Sequence, residues 1–135
     1  MERFQITGVG YSCVDVLCTV EDYPAEDSST HVIRREIQGG GAVATALVAA
    51  SRLGSKCAFI GNLGNDTLAD DIYRLFGMDG VNTDHLVRRG DCYSLESVIM
   101  VNPANGSRTK FPQRDFNPPI EWTPELLRCE IFDTM

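Results

Sequence analysis

Gly39-Gly40-Gly41-Ala42-Val43-Ala44-Thr45-Ala46-Leu47-Val48-Ala49-Ala50-Ser51-Arg52-Leu53-Gly54 decides how the rest of the chain is read. Three glycines precede a run of strong helix formers that no proline interrupts, which predicts a helix over Ala42 to Leu53. Gly54 can adopt the left-handed conformation that ends it. Ala42, Ala46, Ala49 and Leu53 share one face, and Val43, Leu47, Val48 and Ala50 cover most of the rest. That pattern predicts a helix buried nearly all round. The glycines lack a Cβ, so a ligand can come close to the backbone. The first amides of the helix face the glycine loop without partners, with the positive end of the dipole behind them. Such a site suits a polar or anionic small molecule. A tight turn leading into a core helix accounts for the same residues, and both readings stand at this point.

Upstream, Phe4 to Val9 reads as a short strand, and Gly8-Val9-Gly10 leads into a second extended run, Cys13 to Val20. Asp15 stands among apolar residues of that run. A carboxylate there is costly unless it is paired or turned to water, so a ligand hydroxyl and solvent are the alternatives. Glu21 to Ser29 is an acidic loop containing Pro24. His31 to Ile37 reads as a strand that enters the glycines.

Downstream, Lys56 to Gly61 is a short apolar run of the kind buried in a parallel sheet. Strand, helix and strand in this order predict a crossover unit. In Gly61-Asn62-Leu63-Gly64-Asn65-Asp66 the glycines suggest a loop or a pocket wall. Asp66 is a good N-cap for a helix over Thr67 to Phe76, with Leu68, Ile72, Leu75 and Phe76 as its buried stripe and Gly77 as its stop. A further strand lies near His85-Leu86-Val87. Ser94 to Asn102 and Ser107 to Phe111 read as antiparallel strands joined by Pro103-Ala104-Asn105-Gly106, where Asn-Gly is a hairpin signal. Arg108, Lys110 and Arg114 form a local basic cluster, either a reader of an anionic substrate group or solvated edge-strand charge. Asn117-Pro118-Pro119 breaks the chain. Thr123 and Pro124 start a short helix anchored by Trp122, and Glu130 to Met135 begins a strand.

The 135 residues are one domain or part of one, and their 43% apolar share is globular. A net charge of −7 argues against a nucleic-acid partner. No apolar run approaches the roughly 20 residues of a membrane span, and no secretory signal is evident. Five cysteines without CxxC spacing fit reduced thiols in a cytoplasmic protein and argue against a metal site. A chain that stops on a strand entering a sheet reads as the N-terminal portion of a longer protein.

Four stretches in order resemble the PfkB (ribokinase-like) family of carbohydrate kinases. They are Gly8-Val9-Gly10 with Asp15; Gly39 to Gly54 followed by Gly61 and Gly64-Asn65-Asp66; Gly80-Val81-Asn82-Thr83-Asp84; and Val98 to Asn102 with Gly106-Ser107-Arg108-Thr109. The resemblance covers essentially the whole chain, about the first half of such an enzyme. The sequence departs from the family pattern at Cys13, often Asn, at Ala44 or Thr45, where Asn is usual, and at Ala69, where Gly is common.

The resemblance implies an α/β fold, a ribokinase-like open sheet carrying a small β-sheet lid. Strands near 13–20, 31–37, 94–102 and 107–111 would form that lid, inserted in the α/β core. It implies ATP-dependent phosphorylation of a sugar or related polyhydroxy compound, with Mg2+, in a homodimer formed through the lid. The substrate-binding residues it implies are Asp15, Gly39, Gly40, Gly41, Thr45, Ser97 and Arg108. The family's catalytic aspartate, in a Gly-Ala-Gly-Asp motif, has no counterpart in these residues, so the isolated chain is expected to be inactive. A catalytically silent sugar-binding protein of the same fold is the alternative. A dinucleotide-binding module, suggested by Gly8-Val9-Gly10 after a strand, needs a third glycine and an immediate helix.

Overall fold

The computed structural model describes residues 4–113 and 120. Arg114, the Asn117-Pro118-Pro119 break, the helix expected after Thr123 and the strand expected from Glu130 lie outside the described residues. The elements in order are β1 (Ile6–Val9), β2 (Cys13–Val20), β3 (Val32–Gly40), α1 (Ala42–Arg52), β4 (Cys57–Gly64), α2 (Thr67–Met78), β5 (Asn82–Arg89), β6 (Leu95–Val101) and β7 (Arg108–Pro112).

Two sheets organise the described chain. One is parallel, in the order β1-β4-β5; the other is mixed, in the order β3-β2-β6-β7. β4 is central in the first and every residue of it is buried, as an apolar run in a parallel sheet requires. Phe59 and Leu63 point from it into the core shared with both helices, where the Phe59 and Phe76 rings stand 4.9 Å apart. Ala58 and Ile60 face the other way, toward Phe4, Val9 and Ile120.

The expected crossover is corrected. β3 precedes α1 but lies in the mixed sheet; the earlier strand that pairs parallel with β4 is β1, with the β2–β3 pair intervening in the chain. The Gly8-Val9-Gly10 turn also leads into a strand and not a helix. A Cβ on Gly8 would come within 2.6 Å of Val43 Cγ1, and one on Gly10 within 3.1 Å of Val43 Cγ2. These glycines let α1 settle on β1, which removes the dinucleotide-fingerprint reading.

Three glycine assignments change as well. Gly39 and Gly40 belong to β3, paired with Val14 and Cys13. Gly61 and Asn62 belong to β4, where a Cβ on Gly61 would meet Gly10 O at 2.8 Å. α2 runs past Gly77 and stops at Asp79, with Gly80 at φ +67°. α1 is buried only on the side of Ala44 and Leu47, and Leu53 is 88% exposed. Ala42, Ala46 and Ala49 are exposed too, because β1 and the core cover one side of the helix and nothing described lies over the other. Its end is as expected: Gly54, at φ +97°, donates its N–H to Ser51 O at 2.9 Å.

Asp66 ties three elements together. Its Oδ1 accepts from Ala69 N at 3.0 Å and caps α2, while its Oδ2 accepts from Ser94 N at 2.8 Å before β6. Ser94 Oγ in turn accepts from Gly64 N at 3.1 Å. Burial pushes the Asp66 carboxyl up, but the bonds from Ser94 and Ala69, with Arg88 nearby, prevail and hold its pKa below the usual value.

Candidate functional site

A cavity of about 720 Å³ opens where the mixed sheet meets the start of α1. β2 and β3 build its floor. Even-numbered residues of β2, Val14, Val16 and Cys18, join the core, so alternation turns Cys13 and Asp15 to the opposite face. Register then sets the neighbours of Asp15 on that face: Gln38 on β3 and Ser97 on β6. Three polar side chains from three strands thus form one row.

Gly40 closes the floor. It pairs with Cys13, and a Cβ placed on it would lie 2.5 Å from Asp15 Oδ2 and 2.7 Å from Cys13 Sγ. Only a glycine leaves the carboxylate and the thiol this close to the backbone. Cys13 Sγ donates to Asp15 Oδ1 across 3.5 Å. Burial first, and the neighbouring Asp15 second, push the Cys13 thiol up to about 12, with Lys110 pulling the other way. The thiol is therefore a neutral donor throughout the physiological range.

Gly41 makes the corner into α1. Its φ of +102° belongs to glycine, and a Cβ there would meet Tyr11 O at 2.6 Å. The helix has no side-chain N-cap, and its first internal bond runs from Thr45 N to Gly41 O at 2.9 Å. The amides of the first turn thus face the cavity end of the helix. Ser12, 2% exposed, also lines the cavity, and its hydroxyl has no partner among the described residues.

Of the residues read from the sequence, Asp15, Gly39, Gly40, Gly41 and Thr45 line this one cavity. Ser97 stands beside Asp15 in register without lining it. Arg108 pairs with Val101 at the far end of the β6–β7 ladder and does not line it; Lys110, two residues nearer, does. Gln38 is the side chain that sequence reasoning missed, while Lys110, read there as part of a basic cluster with Arg108 and Arg114, is the described member of that cluster that lines the cavity. Gln38 is found once β3 is extended to Gly40, because it then shares a face with Gly40 two residues on. Across the cavity, Arg52 binds Asp79 through two nitrogens, at 2.6 and 3.1 Å.

This arrangement, an acceptor carboxylate on a glycine floor beside an open helix start, is suited to a compact polyhydroxy ligand. The family model for pfkB family carbohydrate kinase matches residues 4–131. The chain belongs to that family. Among relatives of the pfkB chain, mouse ketohexokinase is 33% identical over 109 residues, which cover 81% of this chain and 37% of the relative. A ribokinase from Staphylococcus aureus is 29% identical over 118 residues, covering 87% and 38%. The chain thus spans less than two fifths of the length of these curated relatives. A solved structure of Arabidopsis thaliana ribokinase complexed with ribose and ATP superposes with a TM-score of 0.70. It covers 84% of this chain and 37% of the other at 20% identity, which establishes the ribokinase-like fold.

Proposed function

We propose that the protein carrying this chain transfers a phosphoryl group from ATP to a hydroxyl of a sugar or related polyhydroxy compound, and that the described residues form its acceptor-binding portion. The observation that carries this reading is the Asp15 carboxylate held against Gly40 on the cavity floor. Membership of a carbohydrate kinase family supports it, as does the likeness to a ribokinase solved with ribose and ATP.

In this reading Asp15 accepts hydrogen bonds from two sugar hydroxyls, and charge makes each stronger than a neutral bond. Cys13 fixes the carboxylate's orientation. Gly39, Gly40 and Gly41 let the sugar ring reach the backbone, Thr45 offers a hydroxyl at the helix start, and Ser97 supports the Asp15 row. The β3-β2-β6-β7 sheet, whose β2 and β3 strands carry the cavity floor, is the lid element in this reading: it covers one side of the sugar and excludes water there. It also supplies the surface for a homodimer. Phosphoryl transfer depends mainly on positioning and charge stabilisation, and this chain contributes the positioning of the acceptor. Mg2+-ATP supplies the phosphoryl group when bound. Among the described residues no group of three or more His, Cys, Asp or Glu is placed to hold a metal; the reading assigns the nucleotide, the metal and the catalytic base to residues outside the described part. No helix among the described residues is long and apolar enough to cross a membrane, and the reading places the enzyme in the cytoplasm.

The test is a panel of sugars and polyols incubated with ATP and the protein carrying this chain, with products read by phosphorus NMR. The reading expects one or a few phosphorylated products. Sugar binding by calorimetry without any phosphorylated product would replace it with a silent sugar-binding protein.

A further inference from the structure

Lys110 is the one charged residue on β7 that lines the cavity. It pairs with Ile99, one same-face row below the row of Gln38, Asp15 and Ser97. Strand spacing and rise put its Cα roughly 12 Å from that of Asp15. A lysine side chain bridges about half of that distance, which leaves room for a single sugar ring between ammonium and carboxylate. The ammonium field reaches the floor, since it acts on the Cys13 thiol.

No acidic partner holds Lys110 among the described residues. Glu36, in the same row on β3, is taken by Arg34 at 2.6 Å. The Arg52–Asp79 pair on the other wall of the cavity neutralises itself. Asp15 accepts from the neutral Cys13 thiol and, two strands away, makes no direct ion pair with the ammonium. A lysine that closes over a neutral ring loses water and gains no counter-charge, which is unfavourable. The same lysine closing on an anion makes a charge-assisted bond. The chain as a whole carries −7, so a cation turned into the cavity is a local feature and not part of a general basic field.

We propose that Lys110 determines specificity for an anionic substituent, so that the polyhydroxy compound gripped by Asp15 carries a phosphate, sulfonate or carboxylate at its other end. This rests on the sugar-binding reading of the cavity and names the substrate class within it. Arg108, also on this face but one row further from Asp15, is not required for it.

The experiment is calorimetric binding to the protein carrying this chain, without ATP, so that it stands apart from the transfer reaction. The probes are a neutral hexose, the corresponding hexose monophosphate and the corresponding uronic acid. The wild type is expected to bind at least one anionic probe more tightly than the hexose. Lys110→Met should weaken that anion by about tenfold or more, and leave the hexose within about twofold. Lys110→Arg should keep most of the anion preference, and Arg108→Met should keep all of it. Which of the two anionic probes depends on Lys110 identifies the substituent. Equal or tighter binding of the hexose in the wild type would overturn the proposal, as would an anion preference that survives Lys110→Met. Either result leaves the kinase reading intact if ATP turnover with a neutral sugar is found.

Discussion

The Asp15 carboxylate lies against the Cα of Gly40, so close that a single methyl group on that glycine would stand 2.5 Å from Oδ2. The two residues belong to paired strands, β2 and β3, and line the same cavity side by side. An acid and a glycine that are 25 positions apart in sequence thus act as one unit.

That contact separates the effects of two neighbouring glycines. Gly40→Ala keeps an ordinary backbone but drives the carboxylate off the floor, so sugar affinity should fall roughly tenfold to a hundredfold. Gly41→Ala places a side chain at φ +102° and against Tyr11 O, which should cost about 1–3 kcal/mol of stability. Calorimetry and urea unfolding on both variants check the contrast. A Gly40 variant that binds sugar normally would remove the close contact from the account.

Asp66 sets a pH dependence. Its folded pKa is held below the ordinary aspartate value of 3.8, so its stabilisation is fully present above that value. It is lost as pH falls through the lower, folded pKa. Asp66→Ala should cost about 1 kcal/mol or more at neutral pH through the lost α2 cap. Asp66→Asn should retain part of the cap and flatten the acid limb of a stability–pH curve. Urea midpoints measured from neutral pH down to strong acid would show it.

Cys13 acts at the other end of the pH scale. Burial pushes its thiol up to about 12 from the ordinary cysteine value of 9.0. The unfolded chain therefore releases that proton first as pH rises above 9.0, and stability declines between the two values. Cys13→Ser does not titrate there and still donates to Asp15, so it should reduce this decline and keep sugar affinity. Cys13→Val removes the donor and should weaken sugar binding by about threefold to tenfold. Equal affinities for the two variants would show that the thiol does not orient Asp15.

Local chemistry accounts for what was legible in the sequence. Gly54 ends α1 and Asp66 caps α2 as read, because both signals act within a few residues. The β6–β7 turn is equally local: Gly106, at φ +70°, returns its N–H to Asn102 O at 2.8 Å. Glycine favours turns, so the sequence predicts loop at Gly39, Gly40 and Gly64. They are strand because distant partners, Val14, Cys13 and Arg89, supply the ladder. The same limit explains the site. Asp15 and the glycines could be named singly, but which basic residue faces them depends on the β6–β7 register, and that register selects Lys110 over Arg108. The open side of α1 was missed because periodicity gives the apolar faces of a helix and not how many of them the described chain covers.

Sugar-dependent ATP turnover by the protein carrying this chain, compared with its Asp15→Ala variant, addresses the acceptor role of Asp15 most directly. The predicted result is a rise in KM for the sugar of roughly tenfold to a hundredfold, with the urea unfolding midpoint little changed. A variant with the KM and kcat of the wild type would contradict it.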